Sequence, residues 1–273
     1  MFVLTFARLL LIMRRKLREV LMKSSRHTQI RDIVNENGQV TVAELNRLIN
    51  VSEATIRRDL EELSQMGWIR RTHGGAVRVG RAEKEPPILQ RQVEQTDEKL
   101  RIGKVAASLV AAKQTIFLGS GSTVAAIAPH LKEIEDLTVI TNSVPVINQL
   151  AGQENIELIV IGGMLRQSEM SMVGHIAEMA VREFRADLVF MGMRAVDAEH
   201  GFTSDFMPEA MTDRAILQIA PQGVVVADHT KFGRVSTVFL APITAVHTII
   251  SDDQLQPEIA AELREKGLEL ILA

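Results

Sequence analysis

Four short stretches of this 273-residue chain gather small hydroxyl, amide and charged residues in a way suited to holding an anion. They are Gly119-Ser120-Gly121-Ser122-Thr123, Thr141-Asn142-Ser143, Gly162-Gly163 and Asp228-His229-Thr230-Lys231. A Gly/Ser/Thr loop that runs into a helix exposes backbone amides and hydroxyls at a positive helix end, which favours phosphate. A second group is cationic. Arg57, Arg58, Arg70, Arg71 and Arg78 fall within little more than twenty residues, with Ser52, Thr55 and His73 among them. Arginine's planar fork pairs with guanine O6 and N7 or grips phosphate.

The elements around the arginines have a recognisable order. Residues 25–36 read as a helix, with Ile30, Ile33 and Val34 at helical spacing and Asn35, Asn37 and Gly38 as a stop. Gln39 to Thr41 is β-like, and Val42 to Ile49 is a second helix carrying Val42, Leu45 and Leu48 on one face. Asn50 and Val51 make a tight connection. Ser52 then caps a third helix, which turns Ile56, Leu60 and Leu63 inward and ends near Gly67. That leaves Glu53, Thr55, Arg57, Arg58 and Glu61 outside. Trp68–Arg71 and Ala76–Arg78 form a hairpin around Gly74 and Gly75, where positive φ is expected, and Trp68 is expected to pack between hairpin and third helix. Three short helices and a hairpin make a winged helix-turn-helix, whose third helix fits a B-DNA major groove.

The anion-binding stretches belong to a different pattern. Thr115–Leu118, Leu137–Ile140, Ile156–Ile161, Leu188–Met191, Val224–Ala227 and Thr248–Ile250 are apolar at successive positions, as strands covered on both faces must be. Helix-like stretches separate them, beginning with Asp97 to about Ala112. The fold class is therefore α/β: an N-terminal winged helix-turn-helix at 23–79, a polar linker at 80–96 containing Pro86-Pro87, and a mainly parallel-sheet, Rossmann-like domain at 97–273. In such a sheet ligands bind beyond the carboxyl ends of the strands, where all four stretches fall directly.

Charge supports the division. Residues 1–82 hold 15 Lys and Arg against 8 Asp and Glu, whereas residues 83–273 hold 16 against 26. A basic N-terminal third on an acidic body points to a localised polyanion-binding surface. The chain has no cysteine, which excludes disulfides, thiolate metal sites and cysteine nucleophiles and fits a cytoplasmic location. Phe2 to Met13 is apolar but broken by Arg8, far short of the ~20 residues of a spanning helix. Its positive charges follow the apolar run, unlike those of a signal peptide. It is read as an additional helix or as the product of an early start codon, with Met13 and Met22 as alternatives. The histidines are scattered without metal spacing, and no metal or cofactor is expected. His229 alone among them has site potential. The Met-rich stretch 164–179 reads as core filler or a subunit contact.

Two motifs carry a family resemblance. Ser52-Glu53-Ala54-Thr55-Ile56-Arg57-Arg58-Asp59-Leu60, followed by Arg70-Arg71-Thr72-His73-Gly74-Gly75-Ala76, resembles the DeoR-type helix-turn-helix signature. Gly119–Thr123, Thr141-Asn142-Ser143, Gly162-Gly163, Gly201-Phe202-Thr203, Glu209-Ala210 and Ala227 to Gly233 resemble the C-terminal sensor of the same family, which shares the fold of ribose-5-phosphate isomerase and glucosamine-6-phosphate deaminase. The resemblance spans roughly residues 25–270. It implies a DNA-binding regulator of carbohydrate metabolism, a repressor by analogy, that answers to a phosphorylated sugar. It places Ser52, Thr55, Arg57, Arg58, Arg70, Arg71, His73 and Arg78 on an operator, with Asp59 orienting an arginine. It places Gly119, Ser120, Gly121, Ser122, Thr123, Thr141, Asn142, Ser143, Gly163, Asp205, Glu209, Asp228 and Lys231 at the effector. A homo-oligomer is expected, because such regulators read paired half-sites. The chain departs from the family at Gly119, where an acidic residue is common, and at Asp213-Arg214, where lysine-arginine is common.

The alternative is a sugar-phosphate isomerase or deaminase with an N-terminal appendage. Such chemistry needs a positioned carboxylate base and a donor for the enediolate. The Asp-Gly-Ala-Asp-Glu run that isomerases use is missing, and Arg194 to Gly201 is the nearest stretch. Asp205, Glu209 and Asp228 are the carboxylates that could still serve.

Overall fold

The computed structural model describes residues 22–65, 68–72, 74–78, 80–81 and 85–273. The segment Phe2 to Met13, Gly67 and His73 lie outside them. The described residues divide into two compact units, with the division after residue 79.

The first unit begins with helix α1 (22–37), strand β1 (Gln39–Thr41) and helix α2 (Val42–Ile49). The Thr41 hydroxyl accepts from the Glu44 amide while Glu44 reaches back to the Thr41 backbone, a capping box that fixes where α2 starts. Asn50 closes α2 in the left-handed conformation, φ 56°, which makes the tight turn the sequence predicts. Helix α3 (Glu53–Gln65) starts on Ser52, whose Oγ accepts from the Thr55 amide at 3.3 Å. Ile56, Leu60 and Leu63 are fully buried, against Ile30, Val34, Leu45 and Ile69.

Strands β2 (Ile69–Thr72) and β3 (Gly75–Arg78) form the hairpin, and β1 pairs antiparallel on the other side of β3. Gly75 does not use a positive φ, contrary to expectation. A Cβ there would stand 2.0 Å from the Val40 carbonyl oxygen, so glycine is required by the close approach of β1. Trp68 also departs from its expected place. It is 42% exposed, with the Arg31 guanidinium of α1 5.0 Å above its ring.

The second unit opens with strand β4 (Gly80–Arg81), helix α4 (Ile88–Arg91) and helix α5 (Thr96–Ala107). This stretch has the polarity of a linker, yet it packs. Ile88 is fully buried and Arg91 nearly so. Helix α5 starts at Thr96, one residue before the Asp97 that sequence suggests, with Gln95 ahead of it in the left-handed region.

The main body follows: β5 (Thr115–Leu118), α6 (Ser122–Ala125), β6 (Leu137–Thr141), α7 (Val144–Leu150), β7 (Ile156–Val160), β8 (Met164–Arg166), β9 (Ser171–Val173), α8 (His175–Arg182) and β10 (Leu188–Gly192). Then come β11 (Ala195–Asp197), β12 (Gly201–Ser204), α9 (Met207–Leu217), β13 (Gln222–Val226), β14 (Arg234–Val235), β15 (Val238–Ala241), β16 (Thr248–Ser251), α10 (Pro257–Glu265) and β17 (Glu269–Leu272).

Seven strands form one sheet in the order β17-β16-β13-β10-β5-β6-β7, and every pairing in it is parallel. Alternation along each strand covers both faces. Ile116 and Leu118 pack with Ile102 and Ala106 of α5 and Val146 of α7, whereas Phe117 and Val189 pack with Val181 of α8, Ile216 of α9 and Leu263 of α10. From β5 the chain winds outward through β6 and β7, then returns to β10 on the other side of β5. The order therefore reverses between β5 and β10, and a crevice opens at their carboxyl ends.

Candidate functional site

That crevice holds a cavity. Ser120, Gly121, Ser122 and Thr123 line it from the loop after β5, and Gly192, Met193 and Arg194 from the end of β10. Lys231 reaches it from the segment after β13, and Thr203, Ser204 and Asp205 from the end of β12. The β8–β9 hairpin adds Arg166 and Glu169, α9 adds Glu209 and Asp213, and the stretch around α4 adds Glu85 and Arg91. Gly121 turns the loop with φ 115°, a conformation reserved in practice for glycine. Helix α6, which the loop enters, has only four residues. The loop's offer to an anion is therefore its own amides and hydroxyls, with little from a helix dipole.

Charges in the cavity are interlocked. Arg91 contacts Glu85 at 3.0 Å and pairs with Glu169. Arg166 pairs with Glu209, stands 3.4 Å from Asp205 and lies 4.6 Å over the Phe206 ring. Arg194 bridges Asp205 at 3.3 Å and Glu85 at 3.6 Å, and Lys231 pairs with Glu85. Burial pushes Glu209 up to about 7, with Arg166 opposing and Glu169 and Asp205 reinforcing the rise. Asp213 is raised well above the usual range by burial and then by Glu209. Glu169 is raised by burial against the pull of Arg91. Burial thus favours the neutral form of these three carboxyls, against the pull of the neighbouring arginines.

The structure brings Ser120–Thr123, Asp205, Glu209 and Lys231 to this one cavity; the other expected residues do not line it. Gly119 donates its amide to the Phe190 carbonyl at 2.9 Å, packed against Met191. Thr141 Oγ1 donates to the Leu118 carbonyl at 2.7 Å, tying β6 to β5. Asn142 Nδ2 donates to the Met172 carbonyl at 2.9 Å, and the Ser143 amide donates to Thr141 Oγ1 at 3.1 Å. These three residues are buried at a neighbouring strand end. Gly163 lies against Val173 and Ala177. Asp228 is buried and accepts from the Thr230 amide at 3.1 Å, capping the turn that carries Lys231. It does not pair with Lys231, whose partner is Glu85. The His229 ring contacts Asp252 at 2.9 Å.

On the first unit, Ser52, Arg57, Arg58 and Arg78 are exposed, and Thr55, Arg70 and Arg71 are half-buried. Arg57 pairs with Glu53 across one turn at 3.3 Å. Asp59 is buried and accepts from Arg26 of α1 at 2.9 Å and from His27 at 3.1 Å. It orients an arginine, as expected, although the arginine belongs to α1. Among the described residues no cluster of His, Asp and Glu has metal-site geometry, and no helix is long and apolar enough to cross a membrane.

Both units match models of one family. The DeoR-like helix-turn-helix domain matches residues 26–81, and the DeoR C terminal sensor domain matches residues 94–253. This chain belongs to the DeoR family of transcription regulators. It is 32% identical to the HTH-type transcriptional regulator GolR of Listeria innocua over 91% of this chain and 98% of that protein. It is 31% identical to the glycerol-3-phosphate regulon repressor of Escherichia coli K12, covering 92% and 99% of the two. Ribose 5-phosphate isomerase A of Methanocaldococcus jannaschii is similar over 51% of this chain and 55% of its own at 21% identity; its TM-score of 0.38 is too low to carry an argument about the site.

In this DeoR-family chain, sequence reasoning missed Glu85, Arg91, Arg166, Glu169 and Arg194. Four of them sit in a polar stretch read as linker or on the short antiparallel hairpin, where no local motif marks them. Arg194 had a signal. It follows a strand at its carboxyl end, as Ser120 does, and the rule that singled out residues 119–123 applies to it equally.

Proposed function

We propose that the first unit reads double-stranded operator DNA and that the second binds a phosphorylated sugar, whose arrival relieves repression of carbohydrate-metabolism genes. One observation carries this reading: the 120–123 loop, Lys231 and three arginines converge on one cavity at the switch point of a parallel sheet. Backbone amides, hydroxyls and cations are the groups that hold a phosphate ester, and Asp205, Thr203 and Ser204 can bond sugar hydroxyls. A relative named for a glycerol-3-phosphate regulon agrees with that ligand class. Arg57, Arg58 and Thr55 in the first turns of α3 suit base edges, while Ser52, Arg70, Arg71 and Arg78, with His73, suit the phosphate backbone.

We read the second unit as a sensor without catalytic turnover, because regulators match the chain over more than nine-tenths of their length. Operator binding supports a cytoplasmic location. Met164, Ile176, Met207 and Met211 are exposed around a shallow apolar groove, which supports contact with a second copy of the chain. A thermal-shift screen of sugar phosphates tests the effector reading. A selective ligand at a hundredfold excess over its Kd should raise stability by about 2.7 kcal/mol. A panel that leaves unfolding unchanged refutes it, and turnover of ribose 5-phosphate or glucosamine 6-phosphate would favour the enzyme.

A further inference from the structure

We propose that Glu85 is an internal occupant of the anion seat formed by Arg91, Arg194 and Lys231, and that a phosphate group displaces it, freeing the segment that leads to the DNA-binding unit. The inference rests on the reading of this cavity as the effector site. One carboxylate is shared by three cations: Glu85 Oε1 pairs with Lys231, and Oε2 lies 3.0 Å from Arg91 and 3.6 Å from Arg194. All four side chains are nine-tenths or nearly nine-tenths buried, so the pairs are weakly screened. A carboxylate offers two oxygens and one charge. A phosphate monoester offers three acceptor oxygens and nearly two charges, which fits three converging cations better. The Ser120–Thr123 loop lines the same cavity and completes a phosphate site once the carboxylate leaves.

Displacing Glu85 matters because of where it stands in the chain. Pro86 and Pro87 follow it and have no amide to donate, and firm anchoring resumes at Ile88, which is buried and donates to the Ser168 carbonyl at 2.8 Å. Before it, β4 holds only a two-residue ladder with β14, Gly80 opposite Arg234 and Arg81 opposite Val235. Arg91 also donates to the Pro86 carbonyl at 3.0 Å. The segment is thus gripped by Lys231, by β14 three residues beyond it, and by Arg91. A ligand that draws Lys231 and Arg91 onto itself loosens the grips on both sides of Glu85. The site would report its occupancy through the covalent path to the first unit, with Glu85 and ligand competing for one seat.

The test uses the full chain, inorganic phosphate as probe and chloride at matched ionic strength as control. Trypsin should cut after Arg81 and Lys84 at least tenfold faster with phosphate than without. Glu85→Gln removes the competing charge while keeping the side chain's shape. It should bind phosphate about tenfold more tightly by calorimetry and be cut rapidly without phosphate. Phosphate that binds both forms equally, with no change in cleavage, overturns the displacement and leaves the cavity reading standing. Phosphate that binds neither form overturns both. The wild-type cleavage comparison needs no variant, so a poorly folded Glu85→Gln would not spare the proposal.

Discussion

The carboxylate of Asp59 on α3 receives the Arg26 guanidinium of α1 at 2.9 Å and the His27 ring at 3.1 Å, locking the two helices together. Burial alone would raise the Asp59 pKa, and the hydrogen bonds from Arg26 and His27 more than offset it, holding the group below its ordinary value. A depressed folded pKa gives stability that is present above the ordinary Asp value and is lost as pH falls through the folded one. The first unit should therefore weaken below about pH 4. Asp59→Asn should cost about 2 kcal/mol, less than the ~3–5 kcal/mol of a fully buried broken pair, since Arg26 keeps some solvent. Trp68 is the only tryptophan in the chain. Urea melts followed by its fluorescence report on this unit, and an unshifted midpoint would show the pair to be idle.

Arg57 and Arg58 should read sequence, and Arg78 should only grip. The Arg57–Glu53 pair is exposed and worth well under 1 kcal/mol, so it leaves the guanidinium available. Arg57→Ala or Arg58→Ala should cost about 1–3 kcal/mol on a selected operator and relax preference at one base position. Arg78→Ala should weaken all sequences alike and reduce the slope of log affinity against log salt by about 0.9. Equal losses on operator and random DNA for the α3 variants would reduce them to phosphate contacts.

How much of this was legible beforehand depended on the kind of signal. Strands β5, β6, β7, β10, β13 and β16 stand where apolar runs predict them; a strand covered on both faces favours an unbroken apolar run, and the edge strand β7 keeps enough of one to be seen despite the exposed Glu157. Strand β17 was missed: it is a four-residue strand at the sheet edge, exposed at Glu269 and Leu272 and half-buried at Leu270 and Ile271. The 120–123 loop was legible because its small and hydroxyl residues are consecutive in the chain. The cavity's ion-pair lattice was not. Glu85 and Lys231, or Arg91 and Glu169, lie far apart in the chain, and only topology joins them. Asp228 shows the converse. It was expected at the effector, whereas its carboxylate bonds to Thr230 and sets the backbone turn that carries Lys231.

Gly121 should be the loop residue least able to change. Its φ of 115° is strained for any residue with a Cβ, and an added Cβ would meet only the Gly192 Cα at 3.8 Å, so conformation and not crowding is the obstacle. Gly121→Ala should cost about 1 kcal/mol or more of local strain. The loop would then relax away from the cavity, lowering phosphate affinity by at least tenfold while leaving operator affinity without ligand unchanged. Calorimetry with phosphate and a gel-shift titration on the same preparation separate the two effects. Undiminished phosphate binding would remove the loop from the site.

Glu209 and Asp213 should make the second unit less stable as pH rises through neutrality. They stand one turn apart on α9, and burial raises both, Glu209 to about 7 from an ordinary value near 4.5. Between those values the folded protein keeps a proton that the unfolded chain has released. Folding then binds protons, and stability falls with rising pH, by at most about 1.4 kcal/mol per pH unit for one group. Above pH 7 Glu209 contributes no further slope; Asp213 is raised in the same direction by burial and by Glu209, so it adds to the decline with the same sign. The two titrate as a pair, so the observable is the pair's curve and not either residue's own. Glu209→Gln keeps an oxygen for Arg166 and removes the ionisation. It should flatten the fall between pH 5 and 7 and leave the variant more stable than wild type at pH 8. Scanning calorimetry of the full chain across pH 5 to 8 measures this, with Trp68 fluorescence separating out the first unit. A wild-type curve that is flat or rises through that window would mean that Arg166 holds Glu209 ionised throughout.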